Sequence, residues 1–328
     1  MIYSRNISIE DREALEIFYR KAYPQRKDIK KYLDSTLFSL PLSQIKDSLI
    51  ICDDDKIIGV NLCISTKAMI NNEEYDIVWS YDTLVLPDYR TTDAGTFIAY
   101  FWYKRKDIFG AGLSEISEKM SKVMKSKFIA YATAYIKFNL TSRYLINLIR
   151  PIFPLQSVYE KEFPLTLSVQ DTKFQKINSP EDFVVPESGY WNNGIIEFKR
   201  DIDFIAWRFF QSDSRYTVYQ EIGGNVYFAC RIIEWHNIPL LYIVDYRFDL
   251  AQIEVFNDII DGALILMKKL NCAGLYIRCS LEPLREICEK RHFLGKGQGA
   301  QIVTRFKPAT KGDYPVFFTA ADSDMDFK

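Results

Sequence analysis

The sequence predicts an α/β protein built from two similar halves, each a mixed, mostly antiparallel sheet flanked by helices. Three observations carry that prediction. Short runs rich in Val, Ile and Tyr alternate with segments of helical periodicity along most of the chain. Around residues 150–193 the alternation gives way to short mixed pieces punctuated by Pro151, Pro154, Pro164, Pro180 and Pro186, the marks of a connection lying on the surface. Beyond it the same order of segments returns at a nearly constant offset, which points to a degenerate duplication. A length of 328 residues fits two domains of about 150 each, expected at 1–150 and 194–328 with 151–193 connecting them.

Taken in order, Ile2–Ile7 reads as a strand. Ser8 then caps a helix that Pro24 stops, with Ala14, Ile17, Phe18 and Ala22 on its inner face. A second helical piece spans Asp28–Phe38. Ser48–Asp53 and Lys56–Met69 form a hairpin around Asp53-Asp54-Asp55, whose acids are solvated turn residues rather than metal ligands. Asn71-Asn72 turns into the strand Trp79–Leu86, followed by a helix from about Phe97, a strand at Asp107–Leu113, a helix at Ser114–Lys127 and a strand at Phe128–Phe138. The second half opens with a helix at Ile202–Phe210. Tyr216–Ile222 and Val226–Glu234 pair through Gly223-Gly224-Asn225. Leu240–Phe248 is then the counterpart of Trp79–Leu86, with Asp245 in the place of Asp82. A helix at Val255–Leu270, a strand at Gly274–Cys279 and a helix at Ser280–Arg291 follow.

Composition excludes several classes. Lys plus Arg is 42 against 43 Asp plus Glu, so no basic footprint for nucleic acid exists. Six scattered cysteines without CxxC spacing, and only two histidines, argue against zinc and for buried thiols in a reducing compartment. No apolar run approaches the roughly 20 residues of a membrane span, and no signal core opens the chain, so a cytoplasmic protein without membrane association is expected.

The informative stretch is Trp79–Arg105. Pro87-Asp88 ends a strand, and Arg90-Thr91-Thr92-Asp93-Ala94-Gly95-Thr96 leads into a helix. Amides left unpaired at such a turn, with the helix dipole behind them, suit a phosphate, and Arg90 stands beside them as counter-charge. The pattern VxPxxR over Val85–Arg90, followed by a Gly/Ala-containing turn, resembles the cofactor motif of the GNAT (GCN5-related N-acetyltransferase) superfamily. Arg90 and Gly95 fit that motif; Asp93 stands where the family has its first glycine, and its carboxylate would repel pyrophosphate unless it points away. The alternative is an ordinary strand-to-helix turn in which Asp93 only favours the helix N-terminus.

The resemblance implies two tandem GNAT-like domains and an acetyl-CoA (or other acyl-CoA) dependent N-acyltransferase acting on a small-molecule amine. It places pyrophosphate on residues 90–96 and the pantetheine arm on backbone groups of Leu84, Val85 and Leu86. It makes Asp82 the candidate base, with Tyr81 and Tyr135 as weaker proton donors; the plain alternative for Asp82 is a carboxylate on an exposed sheet face or bonded within a turn. Val123 falls at the position of the family's general-acid tyrosine in the first half and Cys288 in the second, so the first half lacks that acid. After Asp245 the second half has no glycine turn and is not expected to hold a dinucleotide phosphate. Asp201–Phe209 and the tail Phe317–Asp326 resemble segments of bacterial tandem GNAT-like proteins linked to surface-polysaccharide synthesis, which suggests an amino-sugar acceptor. Asp322, Asp324 and Asp326 of that tail are expected to be solvated, the alternative being that they line a cleft and bind an amine or sugar. Two other functions compete: a Fem-type aminoacyltransferase and a non-catalytic GNAT-like binding module.

Overall fold

The computed structural model describes every residue except 41, 151–161, 187–193, 212–213 and 327–328. Parts of the expected 151–193 connection, Pro151 and Pro154 among them, therefore lie outside the described residues. The chain forms two compact units. Unit 1 comprises Met1–Ala130, Gln301–Tyr314 and Asp322–Lys328, and unit 2 comprises Tyr131–Ala300 and Pro315–Ala321. The sequence boundaries at 150 and 194 differ from this division, because two C-terminal pieces fold with the first unit and the end of the Phe128–Phe138 strand folds with the second.

Unit 1 is built on β1 (Ile2–Asn6), β2 (Leu49–Asp53), β3 (Lys56–Ile70), β4 (Glu73–Val85) and β5 (Ile108–Ala111). The first four pair antiparallel in sequence order, and β4 then pairs parallel to β5 through Val78↔Ile108, Trp79↔Phe109 and Ser80↔Gly110. The long β3–β4 hairpin turns at Asn71 and Asn72, both at positive φ, where asparagine is among the few side chains tolerated. Helices α1 (Arg12–Ala22), α2 (Ile29–Leu33), α3 (Leu42–Ile45), α4 (Ala94–Lys104) and α5 (Glu115–Val123) accompany these strands. The α4 face carrying Ala94, Ile98 and Trp102 packs into a core with Ile51, Ile58, Val78 and Ile108.

Unit 2 takes up the end of β6 (Lys127–Phe138), then α6 (Arg143–Ile149), β7 (Thr166–Val169), β8 (Thr172–Ile177), β9 (Ile196–Phe198) and α7 (Ile202–Phe209). Next come β10 (Thr217–Glu221), β11 (Tyr227–Trp235), β12 (Ile238–Arg247), α8 (Val255–Lys269), β13 (Gly274–Cys279) and α9 (Glu282–Lys290). Its sheet order is β6-β13-β12-β11-β10-β8-β7. Here too three antiparallel strands lead to a parallel pair, β12 with β13, so the connection pattern of unit 1 recurs. The proline-rich region supplies the β7–β8 hairpin at the edge of this sheet.

One long strand is absent from the sequence reading. β14 (Leu294–Thr304) ends in unit 1, pairing Ile302↔Ala111, Val303↔Gly110 and Thr304↔Phe109 antiparallel to β5. In the same manner β6 pairs antiparallel with β13 in unit 2. In each unit the strand that flanks the parallel pair thus comes from the other half of the sequence. After α10 (Lys307–Lys311), β15 (Val316–Phe317) pairs parallel with β9. No helix among the described residues is long and apolar enough to cross a membrane, and no His/Cys/Asp/Glu group among them is placed to hold a metal. All six cysteines are free and buried.

Candidate functional site

The site in unit 1 begins with one extra residue in β4. Val60 pairs with Leu84 and Leu62 with Tyr81, so Asn61 alone stands opposite Asp82 and Thr83. This β-bulge turns Asp82 to a φ of 41°, in the left-handed region that Asp tolerates better than most side chains. Asn61, fully buried, holds the bulge closed. Its Oδ1 accepts from Ser80 Oγ at 2.9 Å, Thr83 Oγ1 at 2.9 Å and Trp102 Nε1 at 3.0 Å. Replacing Asn61 with alanine would remove the acceptor of three donors; Ser80 and Thr83 keep each other at 3.4 Å, and each donor left unpaired and out of reach of water costs about 1–3 kcal/mol. The expected loss is about 3 kcal/mol, read as a shift in the urea midpoint; a change near zero would mean that the bulge does not depend on this contact.

Past the bulge, β4 and β5 part company. Their pairing ends at Ser80↔Gly110, and Gly112, at φ 67°, turns the chain away. At Gly110 a Cβ would come within 2.7 Å of the Trp102 indole, so glycine is what lets α4 lie this close to the splayed strands. Between them opens a cleft of about 540 Å³. Its walls include Asp82, Thr83, Leu84 and Val85 of β4, Arg90 and Gly95 at the turn into α4, the Ala111–Ser114 turn, and Asp324 of the tail.

Of the residues predicted from sequence, the structure thus gathers Asp82, Leu84, Val85, Arg90 and Gly95 at one cleft. Leu86, Thr91, Thr92, Asp93, Ala94 and Thr96 do not line it. Asp93 is exposed at the α4 N-cap with no capping bond from its side chain, so its carboxylate does not fill the cleft. The Ala94 N–H bonds Thr92 Oγ1 and the Thr96 N–H bonds the Asp93 carbonyl, which leaves fewer open amides than the sequence implies. At Gly95 nothing lies within 4 Å of where a Cβ would stand, so the space in front of the helix start is open. Arg90 is exposed and donates from Nε to the Val85 carbonyl at 3.2 Å.

Asp82 is half-buried, and its hydrogen bonds run to remote residues, not within its own turn. Tyr19 of α1 donates to its Oδ2 at 3.1 Å, and Tyr32 of α2 donates to the same oxygen. Oδ1 has no hydrogen-bond donor among the described residues. Burial, and next to it the Asp82 charge, pushes the Tyr19, Tyr32 and Tyr81 hydroxyls well above the ordinary tyrosine range. All three therefore stay protonated in neutral and mildly alkaline solution. Tyr81 lines the cleft, whereas Tyr135 belongs to unit 2 and donates to Glu289 at 2.7 Å. Val123 is 82% exposed and outside the cleft lining.

The acidic tail departs from expectation. Asp322, Asp324 and Asp326 are 1%, 5% and 1% exposed, none of the three lacks a partner, and Asp324 reaches the cleft. A turn and a short 3-10 segment fold residues 320–326 against the protein instead of leaving them in solvent. Asn61 was missed as well, although a lone asparagine inside the apolar run Ile57–Ile64 is a readable signal: a buried amide there must find partners.

Unit 2 repeats the bulge but not the cleft. Ala229 pairs with Asp245 and Cys230 with Ile243, so β12 also carries one extra residue. Here Asp245 is wholly buried. It pairs with Arg200 through two contacts at 2.9 and 3.1 Å and with Arg247 at 3.0 Å, and it accepts from Tyr227 and Thr319. Phe317 packs on Tyr246 and Phe248 beyond the end of β12. Ser280, which follows β13, donates to the Val316 carbonyl and accepts from the Phe318 N–H. The place where the parallel strands separate is filled by the chain itself.

No protein-family model and no curated protein matches this chain. Solved structures do. A conserved protein of unknown function from Enterococcus faecalis, described as a probable N-acyltransferase, superposes with a TM-score of 0.60 at 9% identity, covering 96% of this chain and 75% of that one. A GCN5-related N-acetyltransferase from Anabaena variabilis gives 0.57 at 9% identity, over 92% and 72%. Saccharomyces cerevisiae N-myristoyltransferase with bound myristoyl-CoA gives 0.58 at 12% identity, over 97% and 84%. The chain has the fold that these N-acyltransferase structures share, an α/β fold of the GNAT type.

Proposed function

We propose that unit 1 is the acyl-coenzyme A site of an N-acyltransferase acting on an amine. The observation that carries this reading is the splay of β4 from β5 just past the bulge. It opens one cleft that runs from the Asp82 carboxylate to Arg90 and the start of α4. Because β5 no longer pairs beyond Ser80, the β4 edge from Tyr81 to Val85 has backbone groups facing the cleft, and these would hold an extended amide-bearing arm. Arg90 and the open space before Gly95 would take the diphosphate end, helped by the helix dipole. Acetyl-CoA or another acyl-CoA would be the cofactor; among the structural neighbours the yeast N-myristoyltransferase has myristoyl-CoA bound.

Bound there, the thioester supplies an activated acyl carbon, and transfer to an amine exchanges a C–S bond for a C–N bond while nitrogen gives up one proton. Asp82 would take that proton, directly or through a water; its position on the cleft wall, with Tyr19 and Tyr32 donating to Oδ2 and not to Oδ1, supports this. Tyr81, whose hydroxyl burial keeps protonated, is the residue of β4 that would return a proton to the leaving sulfur. An amino sugar remains one acceptor compatible with this chemistry.

The test is titration of the whole chain with coenzyme A, followed by calorimetry and by the unfolding midpoint. Ligand at a hundred times its Kd adds about 2.7 kcal/mol to native stability. One site per chain is expected, because the corresponding place in unit 2 is filled. Gly95→Asp puts a carboxylate into open space at the helix start, so the protein folds but the midpoint shift disappears. No shift in the unaltered protein favours a non-catalytic binding module instead.

A further inference from the structure

We propose that unit 2 carries a binding site of its own, on the sheet face turned away from α8 and α9, and that its ligand is an organic phosphate held by Arg278 and Lys296. Every residue of this site belongs to unit 2. It therefore holds whether or not unit 1 transfers an acyl group.

Alternation along β13 divides its side chains between two faces. Leu275, Ile277 and Cys279 enter the core that Phe256, Ile259 and Ala263 of α8 complete. Tyr276 and Arg278 face the other way. Tyr242 of β12 stands directly beside Tyr276, ring centroids 4.7 Å apart, and Ala134 of β6 stands opposite Arg278. Through the pair Arg231↔Tyr242, β11 adds Arg231, Ile233 and Trp235 to the same face. One end of it is covered by α6, where Tyr144 packs with Ile136 and Leu240. Trp235 and Tyr276 lie at the margin of that cluster and stay half-buried.

Two cations meet at this margin. Lys296 Nζ lies 4.4 Å from the Trp235 ring centroid and 5.9 Å from that of Tyr276, and the Arg278 guanidinium lies 5.6 Å from the Tyr276 centroid. Among the described residues no carboxylate pairs with either. Arg278 Nε is shut off from solvent and has no acceptor there. A ring face attracts a cation, but it does not replace the acceptor that a desolvated N–H requires. No Asp or Glu of β6, β11, β12 or β13 supplies one on this face. Glu234 alternates to the opposite side, and Asp245 lies past the bulge in its own buried network. Arg231 is differently placed: its guanidinium lies over Tyr216 at 5.8 Å and it has further partners.

An anion is what this surface calls for. A guanidinium offers a planar fork to two oxygens, and the exposed Lys296 ammonium is a point charge on a long stem. Two positive charges match a phosphate ester, which carries about −1.5 to −2 at neutral pH, better than the single charge of a carboxylate. The rings of Trp235 and Tyr276 beside the cations offer apolar surface to the organic part of such an ester.

Calorimetry tests this on the full chain bearing Gly95→Asp, which closes the diphosphate end of the unit 1 cleft. The probe is phenyl phosphate, with inorganic phosphate and benzoate for comparison. One saturable site is expected, several-fold tighter for phenyl phosphate than for inorganic phosphate and at least about tenfold tighter than for benzoate. Affinity should fall as salt rises. Arg278→Gln and Lys296→Gln should each weaken phenyl phosphate about tenfold, and Arg278→Lys, which keeps the charge but not the fork, should recover part of the loss. Unfolding midpoints without ligand check that the variants fold; should Arg278→Gln not fold, Lys296→Gln, at an exposed side chain, carries the test. No saturable heat at millimolar phenyl phosphate would overturn the proposal. So would benzoate binding as tightly as phenyl phosphate, or affinity unchanged in folded Arg278→Gln and Lys296→Gln.

Discussion

Asp245→Ala is expected to destabilise unit 2 by roughly 3–5 kcal/mol, the usual cost of breaking a buried ion pair by deleting one partner. The reason is what the substitution leaves behind. Arg200 and Arg247 have no solvent exposure, and Asp245 is bonded to both. Without it two guanidiniums stay buried near each other and the Tyr227 and Thr319 hydroxyls lose their acceptor. Asp245→Asn keeps the shape but not the charge, so it should cost less than alanine yet remain well outside the range of surface substitutions. Urea unfolding followed by tryptophan emission reads the loss. A value under about 1 kcal/mol would mean that the carboxylate is not what compensates the arginines.

The same carboxylate makes unit 2 acid-labile. Burial alone would raise the Asp245 carboxyl; the two guanidiniums outweigh that and hold it well below the ordinary carboxylate range. A group whose pKa is depressed on folding contributes stability that is complete above its unfolded value, near 4, and is lost as pH falls below it. The midpoint of the unaltered protein should therefore decline below about pH 4. Asp245→Asn should flatten that part of the decline.

Asp82 and Asp245 show how far the sequence could be read. Both stand on the corresponding strand of each half, and both fall at a bulge, yet one opens on a cleft and the other anchors a buried network. Local sequence carries the strand, because Val, Leu and aromatic residues alternate there. It does not carry the neighbours, which arrive from remote positions: Tyr19 and Tyr32 for Asp82, Arg200 and Thr319 for Asp245. The bulge was equally hidden, since one unpaired residue in β4 is a property of its register with β3 and not of either strand alone. β14 carries little strand signal in sequence, because Gly295, Gly297 and Gly299 interrupt it. At Gly299, φ is 86° and a Cβ would come within 2.8 Å of the Ala132 carbonyl and the Thr133 Cα, so a close backbone approach requires the glycine. The tail misled for a related reason. Three aspartates in five residues look solvated, and only long-range contacts bury them.

Asp82→Asn is expected to lower kcat by 10²–10⁴-fold, the range for removing a positioned general base, with the fold intact. The choice of asparagine follows from the geometry. At φ 41° alanine would be strained, and it would leave the Tyr19 and Tyr32 hydroxyls buried without an acceptor. Asparagine tolerates the left-handed region and offers its carbonyl oxygen to both tyrosines, so what it removes is proton affinity. Coenzyme A binding should survive, because the diphosphate end at Arg90 and Gly95 is untouched, and the unfolding midpoint should move little. Tyr81→Phe supplies the contrast. Its hydroxyl is held protonated by burial and by Asp82, so a role as proton donor leaves the alkaline limb of the rate profile flat through the ordinary tyrosine range. Loss of rate in Tyr81→Phe without loss in Asp82→Asn would move the proton transfer to the phenol. Equal loss of coenzyme binding and rate in Asp82→Asn would show instead that the carboxylate shapes the cleft and takes no proton.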